Sequence, residues 1–399
     1  MNRISSQLGR PEPDDDHPQR ARDLRPLIAD AAARIEQARE IAPEVLAALH
    51  AAGLFRLLLP LSVGGSEVEP ATFFAAIEEI AQADASTAWC IAQGSGCSMA
   101  AAYVAAEVAQ EIFSDPRSVL AWGPFGPDAK AIMVDGGYRV TGRWQFASGI
   151  RHAGWLGGHC VVIKPDGDPL LDQGGSPVER TMLFPKARAT IFDVWHVVGL
   201  KGTGSDAYAV TDLFVPETHT FTREAAADRR EAGPLYRFTT FQLFGVGVAG
   251  VALGIGRASL DAFTTLAVAK VPKASTRMLR DSGVIQSQVA LADAKLKASR
   301  SLLVETLDTL WQTARGNVGF TARERAMLRL ATTYAIHQAK DVVDAVYHAA
   351  GATAIFESNP FERRFRDVHT VTQQVQAHFA NFELAGQVLL GLDPVSRYV

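Results

Sequence analysis

The chain has 399 residues, 48% hydrophobic and 21% charged, which is length for two or three domains and ample for a large buried core. A net charge of −4 gives no electrostatic footprint for nucleic acid or an anionic membrane surface, so neither is expected as a partner.

Residues 1–24, rich in Pro, Asp and Arg (PEPDDDHPQRAR), lack the apolar core of a signal peptide and read as a flexible tail. Residues 25–117 read as an N-terminal helical domain, with apolar residues at three- and four-residue spacing in "LRPLIADAAARIEQAREIAPEVLAALHAAGLF". Gly53 offers a helix C-cap, and "LPLSVGGSEVEP" is a turn-rich connection. Cys90 and Cys97 fall on one face of a helix but about 10 Å apart along it, too far for a disulfide. With Cys160 they make an odd, unpaired set, which fits a reducing cytoplasm.

The texture changes near Ser118. Short runs such as "SVLAW", "KAIMV", "YRVTGRWQFAS" and "HCVVIK" are rich in β-branched and aromatic residues, so residues 118–222 read as a small β domain. "IMVDGGYRV" carries a hairpin signal. In "GRWQFASGIRHAGW" a strand ends in a small hydroxyl residue and a glycine, which lets backbone approach a flat ring. Trp144 and Phe146 would cover a ring face, Ser148 would donate to a ring nitrogen, and His152 would stand at the rim of the pocket. Taken alone, a strand end with ordinary packing aromatics is the simpler account. "GLKGTGSDAYAV" by itself is only a turn leading into a strand.

Helical periodicity returns in a C-terminal block, 223–399, with helices expected at 235–268, 281–315, 321–350 and 361–390. Helices, then strands, then helices argue for a mainly α fold with a β insert rather than an alternating α/β fold. Gly245-Val246-Gly247-Val248-Ala249-Gly250 fits GxGxxG, but it lies inside a helical run and no strand follows, so close helix packing is the better reading. The apolar stretches Ser86–Ala106 and Phe238–Gly256 lack basic flanks and aromatic belts, so they are expected to be buried helices rather than membrane spans. Ten scattered histidines offer no HExxH or CxxC set, and no metal is expected.

Together these pieces resemble the acyl-CoA dehydrogenase superfamily over nearly the whole chain. The resemblance is carried by "SVLAWGPFGPDAKAIMVDGGYRVTGRWQFASG", "VVGLKGTGSDAYAVTDLFVP" and "GATAIFESNPFERRFRDVHT", in that order. It implies an N-terminal helical domain, a β domain and a C-terminal four-helix bundle, assembled as a homotetramer with flavin between the β domain and the bundle. It places Ser148 at the flavin N5 edge, with Phe146 and Gly149 beside it, and Trp122, Gly123 and Pro124 on the other side of the ring. Arg277 falls near the arginine that meets the cofactor phosphate across the subunit interface.

The family's dehydrogenases remove a proton with a glutamate eight residues past the Arg-Asp aspartate or on an earlier helix. Here the first position is Val375, counted from Asp367, and the earlier helix reads "FTTFQLFGVG", so neither supplies a base. The chain therefore resembles the branch of two-component monooxygenases, which use reduced FMN or FAD from a separate reductase, by transient contact or diffusion, and form a C4a-(hydro)peroxyflavin with O2. That resemblance implies Ser148 and either His369 or His378 as catalytic residues, with His152, Trp155 and Gln374 at a small aromatic or heteroatom-containing substrate. A flavin-dependent dehydrogenase or oxidase of the acyl-CoA type is the alternative, and a non-catalytic flavin-binding scaffold the third.

Overall fold

The structure is a computed structural model that describes residues 16–393 except 224, 226, 274, 317 and 318. Five helices come first: α1 (His17–Ala38), α2 (Pro43–Ala51), α3 (Pro70–Ala83), α4 (Ala85–Ser98) and α5 (Ala106–Phe113). The first of them corrects the expected tail, because residues 17–24 are already helical, with Pro18 in its first turn and Ala21 packed in the core. Residues 1–15 of that expected tail lie outside the described residues. Asp84 starts α4 by accepting the Thr87 amide at 2.7 Å, an N-cap that satisfies one orphan donor.

Eight strands follow: β1 (Leu120–Trp122), β2 (Lys130–Val134), β3 (Gly137–Trp144), β4 (Trp155–Ile163), β5 (Glu179–Pro185), β6 (Thr190–Phe192), β7 (Ala207–Pro216) and β8 (Thr220–Phe221). They form one sheet in the order β6-β7-β3-β2-β4-β5-β8. β1 and β2 both pair parallel to β4, β1 along its first residues and β2 along its last, so they share one edge in tandem. The expected hairpin is β2–β3, closed by Asp135 and Gly136, whose φ of +75° only glycine adopts freely.

The C-terminal block holds α6 (Thr240–Ala269), α7 (Gly283–Arg315), α8 (Ala322–Ala350), α9 (Phe361–Val371) and α10 (Ala380–Leu389). Capping boxes set the starts of α6 and α8, where Thr239 pairs with Gln242 and Thr321 with Glu324. The GxGxxG glycines lie within α6, buried against neighbouring helices, so packing explains them. This helix is long and apolar enough to cross a membrane, yet 94% of its most apolar window is buried inside the protein. The last expected helix, 361–390, is corrected: α9 stops at Val371, a 3-10 turn occupies Val375–Ala377, and α10 begins at Ala380.

Candidate functional site

β3 ends at Trp144, yet for five more residues its chain stays beside the segment 203–206 that leads into β7. The Ala147 amide donates to the Asp206 carbonyl at 3.2 Å and the Gly149 amide to the Thr203 carbonyl at 2.9 Å. Strand alternation would put Trp144 and Phe146 on one face. Phe146 instead has a φ of +60°, rare for an aromatic residue, and its ring is turned out, 57% exposed, edge-on to Trp195 at 6.1 Å. Trp144 goes the other way. It is buried, stacks on Tyr208 at 5.2 Å and donates to the His159 carbonyl, so it covers no ligand ring.

β1 ends against this same turn. A Cβ on Gly123 would overlap the Gln145 carbonyl, so the two strand ends meet backbone to backbone. Trp122 is buried across Gly157 and edge-on to His159 at 5.3 Å, whereas Pro124 is exposed. Trp122, Gly123, Pro124, Phe146, Ser148 and Gly149 are thus brought together at one end of the sheet.

Ser148 is the half-buried end of a line of hydroxyls. Its Oγ accepts the indole N–H of Trp89, on α4, at 2.9 Å and lies 2.7 Å from Ser205 Oγ. Ser205 Oγ in turn lies 2.7 Å from Thr203 Oγ1, which donates to the Leu200 carbonyl at 2.8 Å. Ser205 and Thr203 are both buried.

Two buried carboxylates hold the loops in place. Asp206 accepts Arg151 Nε at 2.9 Å and the amides of Val194 and Trp195, each at 3.2 Å. Asp367, near the middle of α9, accepts the Leu200 amide at 2.6 Å. Burial pushes the Asp367 carboxyl up to about 7, against the pull of the Leu200 N–H. Beside Trp195 a cavity of about 970 Å³ opens among α1, the 195–201 loop and the start of α9, its lining of mixed charge: Arg39, Lys201, Arg363 and Arg366 with Glu36, Glu357 and Glu362. Arg39 pairs with Asp193, and Lys201 and Arg366 share Glu36; Arg363 has no ion pair among the described residues.

The other expected site residues lie apart. His152 turns inward rather than standing at a rim: its Nε2 is enclosed with no hydrogen-bond partner, close to where a Gly149 Cβ would lie. Burial, with His50 and Lys186 nearby, pushes its pKa down to about 3, so the ring is neutral near pH 7. Trp155 stacks on His219 at 6.1 Å. Arg277 is exposed on the loop between α6 and α7. Gln374 spends its carbonyl oxygen on its neighbour's amide, that of Val375, at 2.7 Å.

The two histidines are not on one straight helix. His369, on α9, bonds Asp344 of α8 through Nε2 at 2.9 Å and packs on Phe365. His378 follows the break, is exposed, and accepts the Ala380 amide through Nδ1 at 3.1 Å, capping α10. No hydrogen bond or ring contact among the described residues joins either to the Ser148 line. Glu362 pairs with Arg366, Glu383 is exposed on α10, and Val375 is 50% exposed. No group of three or more His, Cys, Asp or Glu among the described residues is placed to hold a metal ion.

Sequence reasoning missed Trp89, Ser205, Thr203 and Trp195. The signal available was the density of hydroxyls in "GTGS" just before a strand, and one indole inside the small-residue run "ASTAWCIAQGSG".

A small hydroxyl at a strand end thus lies beside an exposed aromatic ring, with a cleft lined by both cations and carboxylates next to it, in a fold of mixed helical and β architecture. Family models for the acyl-CoA dehydrogenase N-terminal and C-terminal domains match residues 21–113 and 246–379. An indole-3-acetate monooxygenase of Pseudomonas putida is 32% identical over 91% of each chain. The oxygenase component of an FADH(2)-dependent resorcinol hydroxylase from a Rhizobium strain is 28% identical over 93% of each. Among solved structures, XiaF from Streptomyces, in complex with FADH2 and glycerol, superposes with a TM-score of 0.88 at 26% identity, covering 96% of this chain and 97% of its own. This chain belongs to the acyl-CoA dehydrogenase superfamily, in its branch of flavin-dependent monooxygenases.

Proposed function

We propose that this chain is the oxygenase of a two-component system. It takes reduced FMN or FAD from a separate flavin reductase, by transient contact or diffusion, and with O2 places one oxygen atom on a small aromatic or heteroatom-containing substrate. The reading is supported by the two buried carboxylates that hold the loops beside Ser148: Asp206 and Asp367 are both committed to loop amides, so neither stands ready as the base of an acyl-CoA type of desaturation.

The residues present fit a flavin. The outward Phe146 ring and the close backbone of Gly123 and Gln145 suit a flat tricyclic ring, and Arg363, free of an ion pair among the described residues in a cleft of mixed charge, suits a phosphate tail. Bound reduced flavin would supply the electrons that activate O2. Ser148 would meet the N5 edge, Trp122, Gly123, Pro124, Phe146 and Gly149 would shape the ring site, and Trp155 and Gln374 would lie toward the substrate side. Of the two histidines, His369 better suits proton handling, because Asp344 fixes its ring. Arg277, exposed on its loop, would reach the cofactor phosphate of a neighbouring subunit in a homotetramer. All three cysteines are free and buried, which suits a cytoplasmic protein.

Chemically reduced flavin, isotopically labelled O2 and a panel that begins with indole-3-acetate and resorcinol test this reading. One labelled oxygen in the product supports it. Bleaching of bound oxidised flavin by an acyl-CoA instead favours a dehydrogenase, and no flavin binding in either redox state leaves only a scaffold.

A further inference from the structure

The hydroxyl line has a direction. At one end stands the Trp89 indole N–H, which can only donate; at the other stands the Leu200 carbonyl, which can only accept. Each of the three hydroxyls between them has one proton. Thr203 gives its proton to Leu200, so Ser205 gives its own to Thr203, and Ser148 must give its own to Ser205. The reverse order would set Thr203 Oγ1 and the Leu200 oxygen 2.8 Å apart with no proton between them. Ser148 then accepts from Trp89, donates inward, and turns only a lone pair outward. The Leu200 carbonyl is itself held, since its residue's amide is fixed by Asp367 and it also accepts the Trp195 indole N–H at 3.0 Å.

We propose that Thr203 and Ser205 are positioning residues that make Ser148 an outward acceptor, so that the site selects reduced over oxidised flavin. This rests on the reading above that Ser148 meets the N5 edge. Reduced flavin carries a hydrogen on N5 and can donate to Ser148. Oxidised flavin has a lone pair there and would face another lone pair. The selectivity is set by two buried hydroxyls that need not touch the cofactor. It also suits an enzyme that must collect reduced flavin against a pool of oxidised flavin.

The test is anaerobic titration of the full-length protein with reduced and with oxidised FMN and FAD, reading the ratio of the two Kd values. The parent binds the reduced form more tightly. Ser205→Ala removes the acceptor for the Ser148 proton and frees it to point outward, so the ratio shifts toward oxidised flavin by about tenfold, or about 30 mV in the potential of the bound two-electron couple. Thr203→Val acts in the same direction, and Thr203→Ser restores the parental ratio. In a Ser148→Ala background Ser205→Ala has no further effect, because the line acts only through Ser148. A ratio within twofold of the parent in both Ser205→Ala and Thr203→Val overturns the inference, as does a Ser205→Ala shift that persists without Ser148. Parent protein that binds neither form overturns the flavin reading itself, a result distinct from binding without selectivity.

Discussion

The Asp367 carboxylate accepts the Leu200 amide at 2.6 Å, tying α9 to the loop that carries Thr203 and Ser205. Burial is the main reason its pKa rises from 3.8 to about 7. The folded chain therefore keeps a proton that the unfolded chain releases above about pH 4, so the Asp367 contribution to stability is greatest at low pH. It falls as pH rises toward about 7 and levels off above it. Asp367→Asn cannot ionise but can still accept the Leu200 amide, so its Tm relative to the parent climbs between about pH 5 and pH 7. Thermal melts at several pH values check this; parallel curves for the two proteins would contradict it. Asp367→Ala leaves the amide without an acceptor and costs about 1–3 kcal/mol.

Two glycines of α6 differ in what a methyl group would meet. At Gly254 a Cβ would lie 2.5 Å from Ala81 Cβ and 2.6 Å from the Glu78 carbonyl, so Gly254→Ala pushes α3 away and costs about 1–3 kcal/mol. At Gly245 the nearest atoms, Gln376 Cγ and Thr332 Oγ1, are 3.5 Å off, ordinary contact. Gly245→Ala gains helix propensity worth up to about 1 kcal/mol. Denaturant unfolding of the two variants should give shifts of opposite sign.

The contrast shows what the sequence revealed and what it hid. Of the helix expected at 235–268, residues 240–268 are helical because the apolar pattern persists, while 234–237 form a separate 3-10 turn; the β2–β3 hairpin was legible from Asp135-Gly136. The break after Val371 was not. "TVTQQVQAHF" contains neither Gly nor Pro, and the signal is instead the Gln374 side chain, which takes the Val375 amide and replaces a helical bond. Ser148 was legible as a hydroxyl at a strand end. Its neighbours Trp89 and Ser205 were not, because they come from positions 59 and 57 residues away and meet it only through tertiary packing. The turn of Phe146 to solvent rests on a positive φ, which no local pattern announces for an aromatic residue.

Arg151 bridges the site loop to the N-terminal helices, with Nε on Asp206 and Nη1 on the carbonyl of Ala38 at 3.1 Å. The Asp206 side chain is almost fully buried, so Arg151→Ala leaves a charge hydrogen-bonded to two amides, with Arg39 the remaining cation that acts on it. The expected loss is about 3 kcal/mol, with Arg151→Lys recovering only part because it cannot reproduce the fork. Urea melts measure the loss. A change below about 0.5 kcal/mol would show that the pair does not hold the loop.

His369 and His378 make opposite predictions. His369 is held by Asp344, whose own pKa stays low because the hydrogen bonds from Lys340 and His369 outweigh its burial. If His369 handles a proton in turnover, His369→Asn lowers product formation by about 100-fold or more and leaves flavin affinity unchanged. Asp344→Asn, which weakens the hold on the ring, should shift the pH profile of the rate. His378 contributes a ring nitrogen to the start of α10, a role that asparagine performs well, so His378→Asn keeps both Tm and rate. His378→Ala loses the cap and about 1 kcal/mol while keeping the rate. A rate collapse in His378→Asn with a normal rate in His369→Asn would move the proton chemistry past the helix break, to the exposed turn before α10.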